Sequence, residues 1–309
     1  MTVTVDYSGS STANISVNAD YSDAGADAVK VDAGFASLYM NKGQVATTDI
    51  TLQNQGANKV GVDFSNTNSK SIVTVSFPNA DASDEYAAVV DGSGAAVGGK
   101  YNPATNSIEA RISGSGTYTV KDNPKDFADI KNKSAEMQSA IKLLASKGII
   151  NGTSDTAFSP DATISRAEVA ALIIRMLGRL DPNADGGFSD VARSAWYYGV
   201  AGSSRDYGLI NGYEDNTFRA TVAIPKDQIF AVAARVLRQE MGYTTPADVN
   251  KYLPYSDASS IPAWARDDLA VATMANLIMR RTDGTFDPNE QMTRGDAAIG
   301  VMRLYEKIW

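Results

Sequence analysis

The sequence predicts a multidomain chain in two parts: an N-terminal all-β, sandwich-like module over residues 1–122 and an all-α part over residues 123–309. Three observations predict it. Apolar and polar residues alternate in short runs through the first part, the signature of half-buried strands. Past Asp122-Asn-Pro-Lys-Asp126, where a proline and charges interrupt the pattern, the period becomes helical. Beyond that boundary one block of residues occurs three times.

The strand runs are Met1–Tyr7, Asn14–Asn18, Val45–Leu52, Lys59–Phe64, Ser71–Phe77, Glu85–Val90, Ser107–Ile112 and Thr117–Lys121. Val, Ile, Thr and Tyr are enriched in them, and turn-forming clusters such as Ser8-Gly9-Ser10, Asp91-Gly92-Ser93-Gly94 and Asn102-Pro103 separate them. Ala24–Leu38 fits the alternation least well and reads as a short helix.

Two helical stretches stand out after the boundary. Ala135–Lys147 gathers Met137, Ile141, Leu144 and Ala145 on one face and stops at Gly148. Ser165–Leu177 gathers Val169, Leu172, Ile173, Met176 and Leu177. The block that recurs is Ile149-Ile150-Asn151-Gly152 leading to Phe158, then Leu209-Ile210-Asn211-Gly212 to Phe218, then Leu277-Ile278-Met279-Arg280 to Phe286. Upstream, Phe127-Ala-Asp129 matches Phe188-Ser-Asp190 and Tyr255-Ser-Asp257, and Trp196 and Trp264 stand at one common register. Each repeat therefore reads as an Asp-bearing loop, a helix, a turn, a core Phe and a second helix. A unit this small cannot bury its own apolar faces, so three copies must pack together. The predicted boundaries are 123–186, 187–253 and 254–309.

Local chemistry follows the repeats. Asn151-Gly152 and Asn211-Gly212 suit a left-handed residue in a turn, whereas Met279-Arg280 lacks both residue types. Ser165-x-x-Glu168 is a capping box and Thr293-x-x-Asp296 a near version, while Pro225 cannot cap with its side chain. A cation stands just inside each second helix: Arg166, Lys226 and Arg294. The helix dipole disfavours a cation there by roughly 0.3–1 kcal/mol, so something should offset it. One offset is an ion pair with Glu168, Asp296 or an Asp of a neighbouring repeat. The other is an anionic ligand, attracted by free helix N–H groups and held by the guanidinium fork.

Composition bounds the function. The chain has 309 residues, no cysteine and no histidine, which removes thiol nucleophiles, disulfides, zinc sites of the usual kind and His-based triads. No cofactor or metal is predicted. No apolar run approaches the ~20 residues of a membrane span, and Met1-Thr-Val-Thr-Val does not read as a signal peptide. Residues 1–122 carry 7 Lys and Arg against 13 Asp and Glu, and residues 123–309 carry 21 against 23, so neither part is basic enough for nucleic acid.

The three copies resemble S-layer homology domains, the wall-anchoring modules of many bacterial surface proteins. The residues that carry the resemblance are the Phe/Tyr-x-Asp openings, Trp196 and Trp264, Gly148-Ile-Ile-Asn-Gly152, Asp283-Gly-Thr-Phe-Asp-Pro288, Ile164-Ser-Arg-Ala-Glu168 and Met292-Thr-Arg294. The likeness covers residues 126–309, and residues 86–122 resemble the β segment often found before such modules. It implies a pseudo-threefold bundle, secreted to the cell wall or S-layer surface, that binds an acidic secondary cell-wall polysaccharide linked to peptidoglycan and bearing pyruvylated amino sugars. It also implies S-layer self-association, no membrane span and no catalysis.

By the same resemblance the binding residues are the cation, the Asp and the Trp of adjacent repeats, with Gly152 and Gly212 in the grooves. Arg166 with Asp190 and Trp196 keeps every element. Lys226 with Asp257 and Trp264 keeps the charge but loses the bidentate fork. Arg294 with Asp129 has Glu136 at the tryptophan position, where a carboxylate repels an anionic sugar. The expected order is therefore Arg166, then Lys226, then Arg294. Competing readings are core packing for the two tryptophans, helix capping for the three Asp residues, and a wall-glycan hydrolase using pairs such as Asp84-Glu85 or Asp267-Asp268. In a further one, the β module assembles a lattice or binds sugars through Tyr7, Tyr21, Tyr39, Tyr86, Tyr101 and Tyr118.

Overall fold

The structure, a computed structural model, describes residues 2–18, 28–41, 44–65, 71–78, 85–279 and 281–309. The chain forms two compact units. One comprises Met1–Lys125 with Ala145–Ile149 and Leu177–Arg179, and the other Asp126–Leu144, Ile150–Met176 and Leu180–Trp309.

The first unit is two antiparallel sheets. One runs in the order β1 (Thr2–Tyr7), β2 (Thr12–Asn18), β5 (Thr48–Asn54), β6 (Lys59–Phe64), β11 (Gly116–Asp122), β8 (Ala87–Val90). The other runs β3 (Ala28–Asp32), β4 (Ser37–Asn41), β7 (Val73–Pro78), β10 (Ser107–Ile112), β9 (Lys100–Asn102). The alternation read from the sequence is the packing: Ala13, Ile15 and Val17 of β2 and Ile108, Ala110 and Ile112 of β10 point into one shared core. Tyr118 lies in that core and donates to the Gly114 carbonyl at 2.7 Å. Burial, helped by Asp91, pushes its hydroxyl up to about 12. The helix expected at Ala24–Leu38 is not there. Ala28–Asp32 pairs with Ser37–Asn41 as a hairpin, so cross-strand partners decide a segment whose own pattern is weak. The earlier part of that stretch, 24–27, lies outside the described residues.

The second unit is helical. Its main helices are α1 (Ala135–Ser146), α2 (Arg166–Met176), α3 (Tyr198–Asp206), α4 (Lys226–Met241), α5 (Arg266–Met274) and α6 (Arg294–Ile308). The second helix of each repeat is buried on most sides: in α2 only Glu168 and Arg175 escape full burial. Helices α2, α4 and α6 are thus central, and α6 packs on both α2 and α4. The first helix of a repeat packs on the central helix of the repeat before it, α3 on α2 and α5 on α4. Phe158, Phe218 and Phe286 are buried core residues, and each meets its repeat's opening aromatic, with centroid distances of 5.7 Å to Phe127, 5.2 Å to Phe188 and 5.3 Å to Tyr255.

The starts of the central helices are joined in a ring. Arg166 and Ala167 donate their N–H groups to the carbonyls of Val222 and Ala220, both at 2.9 Å. Lys226 and Asp227 donate to Glu290 and Pro288 at 2.9 and 3.1 Å, and Arg294 and Gly295 to Ala162 and Pro160 at 2.8 and 2.9 Å. Repeat 1 thereby bonds to repeat 2, repeat 2 to repeat 3, and repeat 3 back to repeat 1. The first N–H groups of a helix lack internal partners, and here a neighbouring loop supplies them. The expectation of N–H groups left free for an anion does not hold at these positions.

Candidate ligand-binding grooves

The three opening aspartates share one task. Asp129 accepts from the N–H of Phe158 at 2.9 Å and of Ser159 at 2.7 Å. Asp190 accepts from Phe218 and Arg219 at 2.7 and 2.8 Å, and Asp257 from Phe286 and Asp287, both at 2.8 Å. The second residue of each pair holds a positive φ: Ser159 60°, Arg219 57° and Asp287 52°. Two successive N–H groups around such a residue form a small anion-binding concavity, and the carboxylate fills it. Neither Asp129, inside a short 3-10 turn, nor Asp257, at the N-cap position of another, caps its turn through the side chain. Burial raises the Asp129 and Asp257 carboxyls, but the backbone donors prevail and hold both below the usual range.

The capping boxes form as the sequence implies. Glu168 accepts from the Ser165 N–H at 2.8 Å and Thr293 accepts from the Asp296 N–H at 3.1 Å, whereas Pro225 makes no side-chain cap.

The three cations are all buried, at 9% exposure for Arg166 and 7% for Lys226 and Arg294, but their surroundings differ. Arg294 is fully engaged. It donates to Glu168 Oε1 at 2.5 Å, to the Phe158 carbonyl at 3.1 Å and to the Asn151 carbonyl at 2.7 Å. Lys226 donates to Glu290 Oε2 at 2.9 Å, and Arg281 holds the other oxygen of that carboxylate at 2.8 Å. Among the described residues the Arg166 side chain makes one hydrogen bond, from Nη1 to the neutral amide oxygen of Gln228 at 2.8 Å. Its Nε is buried with no partner, and among the described residues no carboxylate pairs with it. Burial lowers its pKa, and Arg235 and Arg219 lower it further; a guanidinium nonetheless stays charged. Asp190 acts on Arg166 from longer range in the opposite sense. Arg166 also stacks on Tyr213, its carbon 4.8 Å from the ring centroid, and Arg219 lies 3.8 Å from the same centroid.

Beside Arg166 lies a cavity of about 320 Å³, lined by Asn211, Gly212, Tyr213, Gln228, Arg235 and Trp264 among others. Trp264 is 53% exposed, so it is not a core aromatic. Trp196 is 59% exposed, with its ring 5.5 Å from that of Tyr197, and it does not line this cavity. The structure thus brings Trp264, and not Trp196, to the cavity beside Arg166. The cause is the packing of α5 on α4. It brings the opening of repeat 3 over the helix whose Gln228 meets Arg166. Electrostatically, Asp190 acts on Arg166, Lys226 on Asp257 and Arg294 on Asp129. Glu136 is held by Arg303 of α6 at 2.6 Å, and the carboxylate at Arg294 is Glu168.

Gly212 lines the cavity with φ 83°, as a left-handed turn residue. Gly152 does not share that conformation. Its reason is space: an added Cβ would lie 2.6 Å from Phe127 and 2.4 Å from the Ser154 carbonyl. Tyr213, Gln228 and Arg235 were not singled out by sequence reasoning. A signal for two of them existed, because Gln228 stands in register with Glu168 and Asp296, and Arg235 with Arg175 and Arg303.

Three helical repeats joined in a ring, with a cationic, aromatic-rimmed cavity beside Arg166, make a repeat module with a candidate binding site. The S-layer homology domain family matches residues 126–170, 187–224 and 254–298, and residues 126–298 are three such domains in tandem. The chain is 31% identical over 218 residues to an amylopullulanase of Thermoanaerobacterium thermosulfurigenes, covering 68% of this chain and 11% of that protein. It is 27% identical over 184 residues to a surface-layer 125 kDa protein of Lysinibacillus sphaericus, covering 58% and 15%. Over 168 residues it is 25% identical to a middle cell wall protein of Brevibacillus brevis, covering 52% and 14%. The chain thus spans a small fraction of the length of these relatives. It belongs with cell-surface, cell-wall-associated proteins, and its S-layer homology region serves anchoring. No helix among the described residues is long and apolar enough to cross a membrane.

Proposed function

We propose that this chain tethers a surface protein to the wall by binding an acidic, pyruvylated secondary cell-wall polysaccharide, with the Arg166 groove as the working site. The observation that carries the proposal is Arg166 itself, a buried guanidinium without a carboxylate partner beside a cavity rimmed by an exposed tryptophan. A buried cation left unpaired is costly, and a ligand carboxylate would offset that cost. Trp264 offers a face for the apolar side of a sugar ring, and Asn211 and Gln228 offer amides for hydroxyls. Asp190, Asp257 and Asp129 hold the loops of their repeats and retain lone pairs that can accept from sugar hydroxyls. Lys226 and Arg294 serve weaker grooves, since carboxylates of the protein already pair with them. Trp196 then belongs to a groove other than that of Arg166.

The ring of backbone bonds at the helix starts supports reading residues 123–186, 187–253 and 254–309 as three equivalent units around a pseudo-threefold axis. The chain itself is read as non-catalytic, and the relatives that are glycan-cleaving enzymes by name share the anchoring region.

Retention on purified cell-wall sacculi, before and after chemical removal of the secondary polymer, tests this. Binding should vanish with the polymer. Binding that survives its removal, or release of reducing sugar from the sacculi, would overturn the reading.

A further inference from the structure

Three central helices begin with a cation at the same position, yet among the described residues Arg166 alone of the three lacks a carboxylate, and the residue facing it accounts for this. Arg294 of repeat 3 meets Glu168 of repeat 1, and Arg166 of repeat 1 meets Gln228 of repeat 2. Glu168 and Gln228 occupy the same register, two residues after the cation of their own repeat. Each touches Nη1 of the preceding repeat's arginine through Oε1, at 2.5 Å for Glu168 and 2.8 Å for Gln228. The two contacts have one geometry and differ by one unit of charge. In repeat 3 the same register holds Asp296, whose shorter carboxylate is used by its own cap residue Thr293 at 2.8 Å, and Lys226 is neutralised by Glu290 instead.

We infer that this register sets which groove accepts an anionic ligand: Gln228 keeps the Arg166 groove open, and Glu168 fills the Arg294 groove as a built-in stand-in for the ligand's carboxylate. The inference rests on the anionic-ligand reading above and adds the residue that determines specificity between grooves. Gln228 contributes an oriented acceptor that fixes one nitrogen of the guanidinium without cancelling its charge, leaving the cation for a carboxylate from outside. A glutamate there would supply that carboxylate from within, and it would stand beside the same anionic sugar and repel it.

Titration calorimetry with a pyruvylated N-acetylhexosamine methyl glycoside tests the inference. Gln228→Glu should lower affinity at least tenfold, and by clearly more than Gln228→Met, which removes the hydrogen bond but adds no charge. In an Arg166→Ala background, Glu168→Gln should restore measurable binding through Arg294. Equal affinity of the Gln228→Glu variant and the unmodified protein would overturn the inference, as would a loss with Gln228→Met as deep as that with Gln228→Glu. No gain from Glu168→Gln would overturn its Arg294 half. A readout free of the sugar separates this from the function itself. Gln228→Glu should raise the thermal midpoint by pairing Arg166, and added salt should shrink the gain. Failure of the unmodified protein to bind the glycoside would count against the proposed function. Absence of the thermal gain would count against the role of Gln228, with or without binding.

Discussion

Arg166 and Arg294 begin equivalent helices, are buried to nearly the same degree and pass their backbone N–H groups to the next loop in the same way. They differ in what surrounds the guanidinium. Arg294 has a carboxylate and two carbonyls, while Arg166 has one amide and a buried nitrogen with nothing to bond. A satisfied buried cation is a structural tie, and on the function proposed above an unsatisfied one is a site for a ligand. One motif can therefore serve both purposes, and the neighbouring repeat decides which.

That contrast predicts opposite consequences for one substitution. Arg294→Ala should destabilise the helical unit by about 3–5 kcal/mol, because it strands Glu168 and two carbonyls. Arg166→Ala should leave the denaturant midpoint almost unchanged, since it removes a cation that lacked compensation. The same variant should cost about 2–5 kcal/mol in saccharide binding, the range for truncating one partner of a buried charge pair. Chemical denaturation and calorimetry on both variants check this. A large stability loss for Arg166→Ala would erase the distinction.

The tryptophans sharpen the comparison at a smaller scale. Trp264 shares the cavity with Arg166 and Trp196 does not. Trp264→Ala should weaken saccharide binding roughly tenfold, about 1.4 kcal/mol, and Trp196→Ala should leave the Arg166 groove unaffected. Fluorescence quenching on titration, followed in each single-tryptophan variant, distinguishes them. Quenching of Trp196 alone would move the site to another groove.

The same comparison shows what the sequence could carry. The repeat length, the core Phe residues, the capping boxes and the cation positions are local or periodic properties, and they were legible. Which tryptophan faces which arginine was not, because it depends on the first helix of one repeat packing on the central helix of the repeat before it. Which carboxylate meets Arg294 was open for the same reason: Glu136, at the tryptophan register, is held by Arg303, while Glu168, read as a cap and as one possible ion-pair partner, reaches across the ring. In the β unit, Ala28–Asp32 is a strand because Ser37–Asn41 pairs with it, a partner that alternation within the segment cannot reveal. Gly152 looked like a turn glycine and is a packing glycine, since the clash it avoids lies with Phe127, twenty-five residues away.

The smallest expected effect concerns the aspartates that all three repeats share. Asp129 and Asp257 have carboxyls held below the ordinary value of 3.8; burial opposes this, but the paired backbone N–H groups outweigh it. A carboxyl whose folded pKa lies below its unfolded one contributes stability that is fully present above the unfolded value and is lost as pH falls through the folded one. Stability of the helical unit should therefore be flat near neutrality and decline below about pH 4 as these two carboxyls take up protons. Asp129→Asn and Asp257→Asn should each make the acid limb shallower while lowering the plateau. Because Asp129 is exposed, water screens its contribution and the change it causes should be modest. Thermal midpoints followed from neutral pH to about pH 3 measure the slope. If the Asn variants lose stability in parallel with the unmodified protein across that range, the carboxylates act through their shape and hydrogen bonds alone. Their charge would then add nothing to the loops that carry the grooves.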